Sequence, residues 1–181
     1  RDYFLFMGRI SPEKGLDTLL EAFRRLDGRA KLVIAGGSSY TDVYQQKLMR
    51  DAPPGVLFPG RVRGRMKAEL YSNAAAFVLP STIEGLSVAL LEAMAHGACV
   101  VSSDIPENRE LVDGVGLTAP GQDPAALAAR LQRVLDRPDE LGAAPAQPLE
   151  GCLEVVDVEA QMAEARHVRR LAALTRRARR G

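Results

Sequence analysis

Two short segments of the sequence carry side chains suited to an anionic, hydroxyl-rich ligand. The first, residues 8–15, contains Arg9 and Lys14 between an apolar run and a helical pattern. A guanidinium can bind phosphate oxygens in pairs, an ammonium acts as a point charge, and a helix N-terminus favours anions. A diphosphate suits this combination, but a solvated turn before a surface helix explains the segment equally well.

The same segment excludes two common nucleotide-binding motifs. It contains no GxxxxGK[ST] phosphate loop, and no GxGxxG follows the apolar run. Both motifs depend on glycines that let the backbone approach phosphates. A dinucleotide-dependent dehydrogenase is therefore not favoured.

The second segment, residues 80–97, is a polar turn followed by an apolar helical pattern. We expect Gly85 to open the helix and Gly97 to end it. The free N–H groups of Gly85, Leu86 and Ser87 would then point towards the strand ends and the anion. His96 precedes the terminal glycine and is assigned no role, because such a histidine usually contacts the helix dipole.

Glu84 and Glu92 are the acidic residues of this second segment. Eight residues of continuous helix would separate them by roughly 12 Å, more than the about 5–9.5 Å of a glycosidase pair. We therefore predict two hydroxyl-binding contacts along an extended ligand. The alternatives are a helix-surface glutamate at position 92 and dipole complementation at position 84. The apolar neighbours of Glu92 weaken the first, since a carboxylate there needs a partner.

Two basic clusters carry less functional weight. We interpret the first as a solvated loop; it comprises Arg61, Arg63, Arg65 and Lys67. The second is the region 161–181, with seven arginines and one acid, whereas residues 1–160 hold 17 basic and 22 acidic residues. A solvated helix or disordered end is favoured there over binding to acidic membrane or nucleic acid.

The elements that must position these residues alternate between strand and helix. Continuous apolar runs predict strands at 3–7, 31–35, 56–58, 75–79 and 99–102. Helical spacing predicts helices at 16–26, 43–50, 66–72, 88–95 and 124–135. Continuous rather than alternating apolar strands belong to a parallel sheet buried on both faces. We therefore predict an α/β fold with a Rossmann-like, doubly wound parallel sheet, whose ligands lie outside the carboxyl ends of the strands.

Length and composition add further expectations. The chain has 181 residues and a net charge of +1, so we expect one domain at 1–140, with a linker and basic tail or helix at 141–181. Cys99 and Cys152 make no disulfide framework and no metal-binding spacing, which favours the cytoplasm. We see no signal peptide and no stretch long enough to span a bilayer. The start in a strand-like run predicts missing sequence upstream.

Four ordered motifs then resemble the carboxyl-terminal domain of glycosyltransferase family 4, also called group 1, over residues 3–137. The motifs are Gly8-Arg9-x4-Lys14-Gly15, Leu57-Phe58-Pro59-Gly60-Arg61-Val62, Pro80-Ser81-x2-Glu84-Gly85 and Glu92-Ala93-Met94-Ala95-x-Gly97. Members of this family are retaining enzymes with a GT-B fold, of which this chain would be one half. The chain departs from the family at Leu86-Ser87, where Phe-Gly is frequent, and at Cys99, where proline is frequent.

The resemblance implies roles for individual residues. It makes Arg9, Lys14 and Glu84 the catalytic set: the two cations hold the donor diphosphate, and Glu84 meets the transferred sugar. It also implies a donor-binding set, which comprises Gly8, Arg61, Val62, Gly85, Leu86, Ser87 and Glu92. In that set Glu92 would bind the ribose, and the base would lie near Arg61 and Val62. No metal or cofactor is implied, and the substrate would be a UDP-, GDP- or ADP-sugar.

The resemblance also implies a partner. The acceptor would be held by a missing amino-terminal domain, so we expect weak nucleotide binding and little or no transfer by this chain alone. Peripheral membrane contact through the full-length protein is compatible with this role, and nucleic acid is not an expected partner. Two alternatives stay open: a non-catalytic nucleotide-sugar-binding subunit and a GT-B nucleotide-sugar 2-epimerase.

Overall fold

The apolar runs of the sequence form one six-stranded sheet. The computed structural model describes residues 2–37 and 42–138. Its strands are β1 Tyr3–Arg9, β2 Lys31–Gly37, β3 Val56–Gly60, β4 Ala76–Leu79, β5 Val100–Ser103 and β6 Leu117–Ala119. Their order in the sheet is β3-β2-β1-β4-β5-β6, and every neighbouring pair is parallel. The predicted doubly wound parallel sheet is therefore confirmed.

The central strands are covered on both faces. Five consecutive residues of β1, from Tyr3 to Met7, are buried, although successive side chains of a strand point to opposite faces. Phe4 pairs in register with Leu32 of β2 on one side and with Ala76 of β4 on the other. Continuous burial of this kind requires helices on both faces of the sheet.

Within the described residues, five α-helices connect the strands and a sixth follows β6. They are α1 Leu16–Arg24, α2 Asp42–Asp51, α3 Gly64–Asn73, α4 Val88–Ala95, α5 Pro106–Val112 and α6 Pro124–Asp136. The apolar stripe predicted for the first helix is buried, including Leu16, Leu19 and Phe23. Among the described residues, no helix is both long and apolar enough to cross a membrane.

Two elements were missed by the sequence analysis. The strand β6 has only three residues, of which Ala119 alone is buried, so it shows no apolar run. The helix α5 begins at Pro106 and exposes most of its residues, and Asn108 and Val112 are its buried positions. Neither element has the apolar periodicity on which the prediction depended.

The start of α4 corrects one prediction. The helix spans Val88–Ala95, as its helical spacing predicts, and it does not open at Gly85, because Ser87 has extended backbone angles and is the N-cap. The Ser87 hydroxyl accepts a hydrogen bond from the N–H of Leu90, at 3.4 Å. Gly85 therefore lies in the loop before the helix, and the rise of a continuous helix does not apply between Glu84 and Glu92.

The connections of the sheet define one topological switch. From β1 the chain proceeds to β2 and β3 on one side, and then to β4, β5 and β6 on the other. A crevice opens outside the carboxyl ends of the strands where the direction reverses. Here that crevice lies between the ends of β1 and β4, which carry the two segments of chemical interest.

Candidate functional site

Two adjoining depressions occupy the crevice at the switch. The first, named here the Glu84 depression, has a volume of about 420 Å³ and is lined by Lys14 and Glu84 among others. The second, the Glu92 depression, has a volume of about 410 Å³ and is lined by Arg61 and Glu92 among others. Their shared lining residues are Met7, Gly8, Arg9, Val88 and Ala89. The two depressions therefore form one extended cleft.

The structure brings together nearly all of the predicted site residues. Nine of the ten line one depression or the other: Gly8, Arg9, Lys14, Arg61, Val62, Glu84, Leu86, Ser87 and Glu92. Gly85 is absent from both linings, although its neighbours Glu84 and Leu86 in the same loop line the Glu84 depression. Glu84 and Glu92 line different depressions, an arrangement that allows contact at two points of one extended ligand.

The bottom of the cleft is formed by closely approaching backbone. Gly36, at the end of β2, has φ +149, and a Cβ there would stand 1.8 Å from the carbonyl oxygen of Gly8. Only glycine adopts such a conformation without strain. The ends of β1 and β2 can therefore meet beneath the ligand space without intervening side chains.

An ion pair closes one wall of the Glu84 depression. Lys14 Nζ lies 2.8 Å from Glu84 Oε1, and the two side chains are only 17% and 7% exposed. The residues come from different loops, after β1 and after β4, and are 70 positions apart. Shielding from water strengthens the attraction between the two charges, and the loss of either partner would leave the other charge poorly solvated.

Backbone contacts hold these two loops against each other. Gly15 has φ +65, and a Cβ there would stand 2.2 Å from the carbonyl oxygen of Pro80. Thr82 donates its N–H to the carbonyl oxygen of Glu13 at 2.9 Å. The position of the ion pair is therefore set by the backbone of both segments.

Arg9 stands at the junction of the two depressions and is paired with Glu13. One Arg9 nitrogen, Nη2, lies 3.1 Å from Glu13 Oε1, with the arginine side chain 51% exposed. The same carboxylate oxygen accepts the Ser11 hydroxyl at 2.6 Å. This hydroxyl, together with backbone hydrogen bonding and the charges of Arg9 and Lys14, lowers the pKa of Glu13. Glu13 was not singled out by the sequence analysis.

Glu92 has the partner that its apolar surroundings predict. Lys67 Nζ lies 2.6 Å from Glu92 Oε1, and the Tyr71 hydroxyl donates to Oε2 at 3.1 Å. Burial, and then the nearby Glu92 charge, raise the pKa of the Tyr71 phenol above its ordinary value. The hydroxyl therefore stays protonated and remains a donor at neutral pH.

The interpretation of the basic run as a solvated loop holds for Arg61 and Arg63, which are exposed in the loop before α3, but not for Arg65 and Lys67, which belong to the helix. Arg61, Arg63 and Lys67 line the Glu92 depression, and Lys67 belongs to α3, which packs against α4. The fourth member, Arg65, forms an ion pair with the buried Glu69 at 2.6 Å. The signal that was overlooked is the spacing of Lys67 and Tyr71, which places them on the same face of a helix.

An apolar lip borders the Glu84 depression. Three large side chains there are mostly exposed: Ile83 at 65%, Leu86 at 70% and Val88 at 61%. Apolar side chains grouped beside a polar cleft are typical of a surface that another protein segment covers.

The cleft therefore combines Arg9 at the junction of the depressions with a carboxylate and further cations in each of them. Cations can bind and neutralise an anionic ligand, and carboxylates accept hydrogen bonds from hydroxyl groups. Within residues 2–37 and 42–138, no group of three His, Cys, Asp or Glu side chains could hold a metal ion. The arrangement suits an extended ligand that carries both anionic groups and hydroxyls.

Comparison with known proteins gives the family. Residues 1–137 match the family model of the group 1 glycosyl transferases. The chain is 33% identical over 136 residues to an uncharacterised glycosyltransferase of Methanocaldococcus jannaschii, covering 72% of this chain and 35% of the relative. It is 32% identical over 139 residues to the O-antigen chain mannosyltransferase B of Escherichia coli, with coverages of 74% and 36%. The chain belongs to the group 1 glycosyltransferases.

A solved structure gives the same fold. The Anabaena protein HepE, crystallised in complex with UDP-glucose, superposes with a TM-score of 0.70 at 20% identity, over 92% of this chain and 48% of that one. The expected Rossmann-like half of a GT-B fold is confirmed. The chain spans about a third of the length of the curated relatives it matches. Residues 141–181, predicted as linker and tail, lie outside the described part, as does Cys152, whereas Cys99 is buried as expected.

Proposed function

We propose that this chain is the donor-binding half of a retaining glycosyltransferase and binds a nucleotide-diphosphate sugar in the cleft at the sheet switch. One observation carries the proposal. Arg9 and Lys14 meet Glu84 and Glu92 in two adjoining depressions of about 420 and 410 Å³. Each volume is within the range of small-molecule sites, and together they accommodate a nucleoside at one end and a sugar at the other.

The diphosphate is assigned to the middle of the cleft. Arg9 lines both depressions, and Lys14 approaches from the loop after β1. The arginine can bind two phosphate oxygens at once, and the lysine contributes a point charge. Backbone N–H groups of the loop before α4, including those of Leu86 and Ser87, supply neutral donors for the same oxygens.

The sugar and the nucleoside occupy opposite ends. Glu84 is held by Lys14 in its depression and is assigned to the hydroxyls of the transferred sugar. Glu92 is assigned to the ribose, and the base is assigned to the wall formed by Arg61 and Val62, which line the same depression.

The proposed chemistry follows from these positions. The bond between the anomeric carbon and the diphosphate oxygen breaks, that carbon bonds to an acceptor hydroxyl oxygen, and the hydroxyl proton is released. Negative charge grows on the leaving diphosphate, where the preorganised cations Arg9 and Lys14 stabilise it. The configuration at the anomeric carbon is retained.

The comparisons support this proposal at the level of ligand class. HepE, which shares the fold, was crystallised with UDP-glucose, and a relative in sequence is named as a mannosyltransferase. A nucleotide sugar bound by a protein of the same fold supports the same ligand class for this cleft. Which nucleotide and which sugar this chain takes is the question that the first experiment answers.

The acceptor is assigned to an amino-terminal domain. The chain matches only about a third of its curated relatives, and the exposed lip of Ile83, Leu86 and Val88 beside the cleft suits contact with a second domain. Full transfer activity would then require the cleft to be completed by that domain.

A binding panel tests the proposal. Calorimetric titration of the chain with UDP-, GDP- and ADP-sugars and their nucleoside diphosphates should show binding by one nucleotide class. Glu92→Ala should weaken it by about 10-fold or more, as expected for loss of hydrogen bonds to a charged group. The matched control is Glu107→Ala, which removes an exposed carboxylate on α5 and should bind like the parent. Absence of binding by every nucleotide would overturn the proposal, and equal binding by Glu92→Ala would overturn the ribose assignment.

A transfer assay tests the remaining claims. The isolated chain should bind donor but transfer little or no sugar, whereas the full-length protein should transfer it and give a product whose anomeric configuration matches the donor by NMR. Robust transfer by the chain alone would contradict the assignment of the acceptor to another domain. An inverted product would contradict retention.

A further inference from the structure

The second end of the cleft contains two residues to which no role has been assigned, Lys67 and Tyr71. They lie four positions apart on one face of α3, and α3 packs against α4, which carries Glu92. Each donates to a different oxygen of the same carboxylate: Lys67 Nζ to Oε1 at 2.6 Å and Tyr71 Oη to Oε2 at 3.1 Å. This one-donor-per-oxygen arrangement fixes both the rotamer and the plane of the carboxylate.

The tyrosine is itself held rigidly. Its side chain is fully buried, and its ring stacks on His96 with centroids 5.5 Å apart and an interplanar angle of 9°. It also contacts Phe77 of β4 at 5.6 Å in a tilted geometry. The position of its hydroxyl is therefore set by core packing, and the raised pKa keeps the proton in place.

The remaining capacity of the carboxylate matches a diol. Each carboxylate oxygen has about two lone-pair sites, so one on each oxygen stays available after Lys67 and Tyr71 have bound. The Glu92 side chain is 35% exposed and lines the depression. It can accept one hydrogen bond at each oxygen from neighbouring hydroxyls, provided that its plane does not rotate.

We propose that Lys67 and Tyr71 are positioning residues that fix the Glu92 carboxylate for the two hydroxyls of a ribose and thereby make the cleft prefer ribonucleotides over 2′-deoxyribonucleotides. This inference rests on the proposed function, since it concerns the ribose of the same ligand. A 2′-deoxyribose leaves one carboxylate oxygen without its ligand donor. Hydrogen bonds to a charged group are worth about 10- to 100-fold in affinity, so the discrimination is measurable.

An alternative interpretation of the Lys67–Glu92 ion pair is that Lys67 competes with the ligand for the Glu92 carboxylate. In that case the ion pair blocks the carboxylate, and its removal would strengthen ribonucleotide binding. The two views predict opposite changes for one substitution, so a single set of titrations separates them.

The experiment measures the ratio of affinities for a nucleoside diphosphate and its 2′-deoxy analogue, using the nucleotide that binds best in the panel. The full chain should favour the ribonucleotide by about 10-fold or more. Lys67→Met and Tyr71→Phe should each lower that ratio by about threefold or more, whereas Lys67→Arg should preserve most of it. Tyr71→Phe keeps the ring and its packing, so it separates positioning from folding; thermal melting of each variant confirms a folded chain.

Arg63→Met is the matched control. Arg63 lines the same depression, and its replacement removes the same charge as Lys67→Met without touching the Glu92 contacts. It should weaken both nucleotides equally and leave the ratio unchanged. An unchanged ratio in both Lys67→Met and Tyr71→Phe would overturn the inference, as would tighter ribonucleotide binding by Lys67→Met.

Failure of this inference is distinguishable from failure of the proposed function. If the parent chain binds no nucleotide, the proposed function fails and the inference fails with it. If the parent binds the nucleoside diphosphate and its 2′-deoxy analogue equally, only the inference about the positioning of Glu92 fails. The same holds if the variants keep the affinity ratio of the parent.

Discussion

The two ends of the cleft hold their carboxylates by different means. At one end, the Lys14–Glu84 pair is largely shielded from solvent and joins two loops whose backbones are already in contact. At the other end, the Lys67–Glu92 pair is about one-third exposed and joins two helices through long side chains, with Tyr71 as a further support. The first arrangement is built from backbone, and the second is built from side chains.

This difference separates stability from specificity. A pair shielded from water is costly to break, because the remaining charge loses both its partner and its solvent. A pair exposed to water is worth little to the fold, so its residues are freer to change. We therefore expect substitutions at the Glu84 end to affect folding and binding together, and substitutions at the Glu92 end to affect mainly ligand choice.

The largest loss of stability is expected where the backbones of the two loops at the Glu84 end touch. Gly15→Ala would place a Cβ 2.2 Å from the Pro80 carbonyl oxygen at φ +65. The left-handed conformation alone costs about 1–2 kcal/mol, and with the steric overlap we expect a loss of about 3 kcal/mol or more in the free energy of unfolding. Urea denaturation measures it.

The control for this substitution is Gly28→Ala. Gly28 has φ +75 and no atom within 4 Å of the added Cβ, so it reports the conformational cost without the overlap. A loss at Gly15 no greater than the loss at Gly28 would show that the loop contact does not constrain the Glu84 end.

The next prediction compares the stability lost when each of the two ion pairs is broken. Lys14→Met leaves the Glu84 carboxylate, only 7% exposed, without its ion-pair partner, and should lower the free energy of unfolding by about 1–3 kcal/mol. Lys67→Met should lower it by about 1 kcal/mol or less. Thermal and urea unfolding of both variants measure the contrast, and equal losses would remove the distinction between the two ends.

A double substitution sharpens this comparison. Lys14→Met with Glu84→Gln removes both charges, so no unpaired carboxylate remains near the buried surface. It should recover part of the stability lost in Lys14→Met, because the penalty comes from the orphaned charge rather than from the absent pair.

A smaller effect is expected at the N-cap of α4, which lies between the two ends. Ser87→Ala removes the side-chain acceptor of the Leu90 N–H, which keeps its 3.1 Å hydrogen bond to the Ser87 carbonyl oxygen. The substitution should cost about 0.5–1 kcal/mol, whereas Ser87→Gly should cost only a few tenths. The 3.4 Å bond is long, which places the expected loss at the lower end of the usual range. A larger loss for glycine than for alanine would contradict a capping role.

The smallest expected effect is a change in the pKa of Glu13, the partner of Arg9. The pKa of Glu13 is lowered first by the Ser11 hydroxyl, so Ser11→Ala should raise it towards its ordinary value. The lowered pKa means that ionised Glu13 stabilises the fold above its ordinary titration range, and this contribution is lost as the pH falls through the folded-state pKa. Carboxyl NMR titration of Glu13 checks the shift, and an unchanged pKa would contradict the assigned cause.

The sequence allowed much of the fold and site to be predicted where a signal was local. Five strands and their parallel, doubly wound arrangement follow from continuous apolar runs, and the need of Glu92 for a partner follows from its apolar neighbours. The short β6 and the polar α5 lacked such signals, because three strand residues and a mostly exposed helix make no apolar pattern. The expectation that Gly85 opens α4 disagreed with the helical spacing, which predicts the observed start at Val88. Lys67 and Tyr71 were missed because their importance depends on how α3 packs against α4, which is a tertiary contact. The assigned roles of the site residues stay predictions until binding is measured.

The close contact of Gly8 with Gly36 limits how this cleft can be redesigned for a new ligand. A side chain at Gly36 would collide with the carbonyl oxygen of Gly8, so no substitution at Gly36 can raise the bottom of the cleft. A mutant library should hold both glycines and diversify Arg61, Val62 and Lys67, which line the walls. The shape and charge of the ligand space can therefore be tuned through these side chains, while the surface at Gly36 is a fixed property of the backbone.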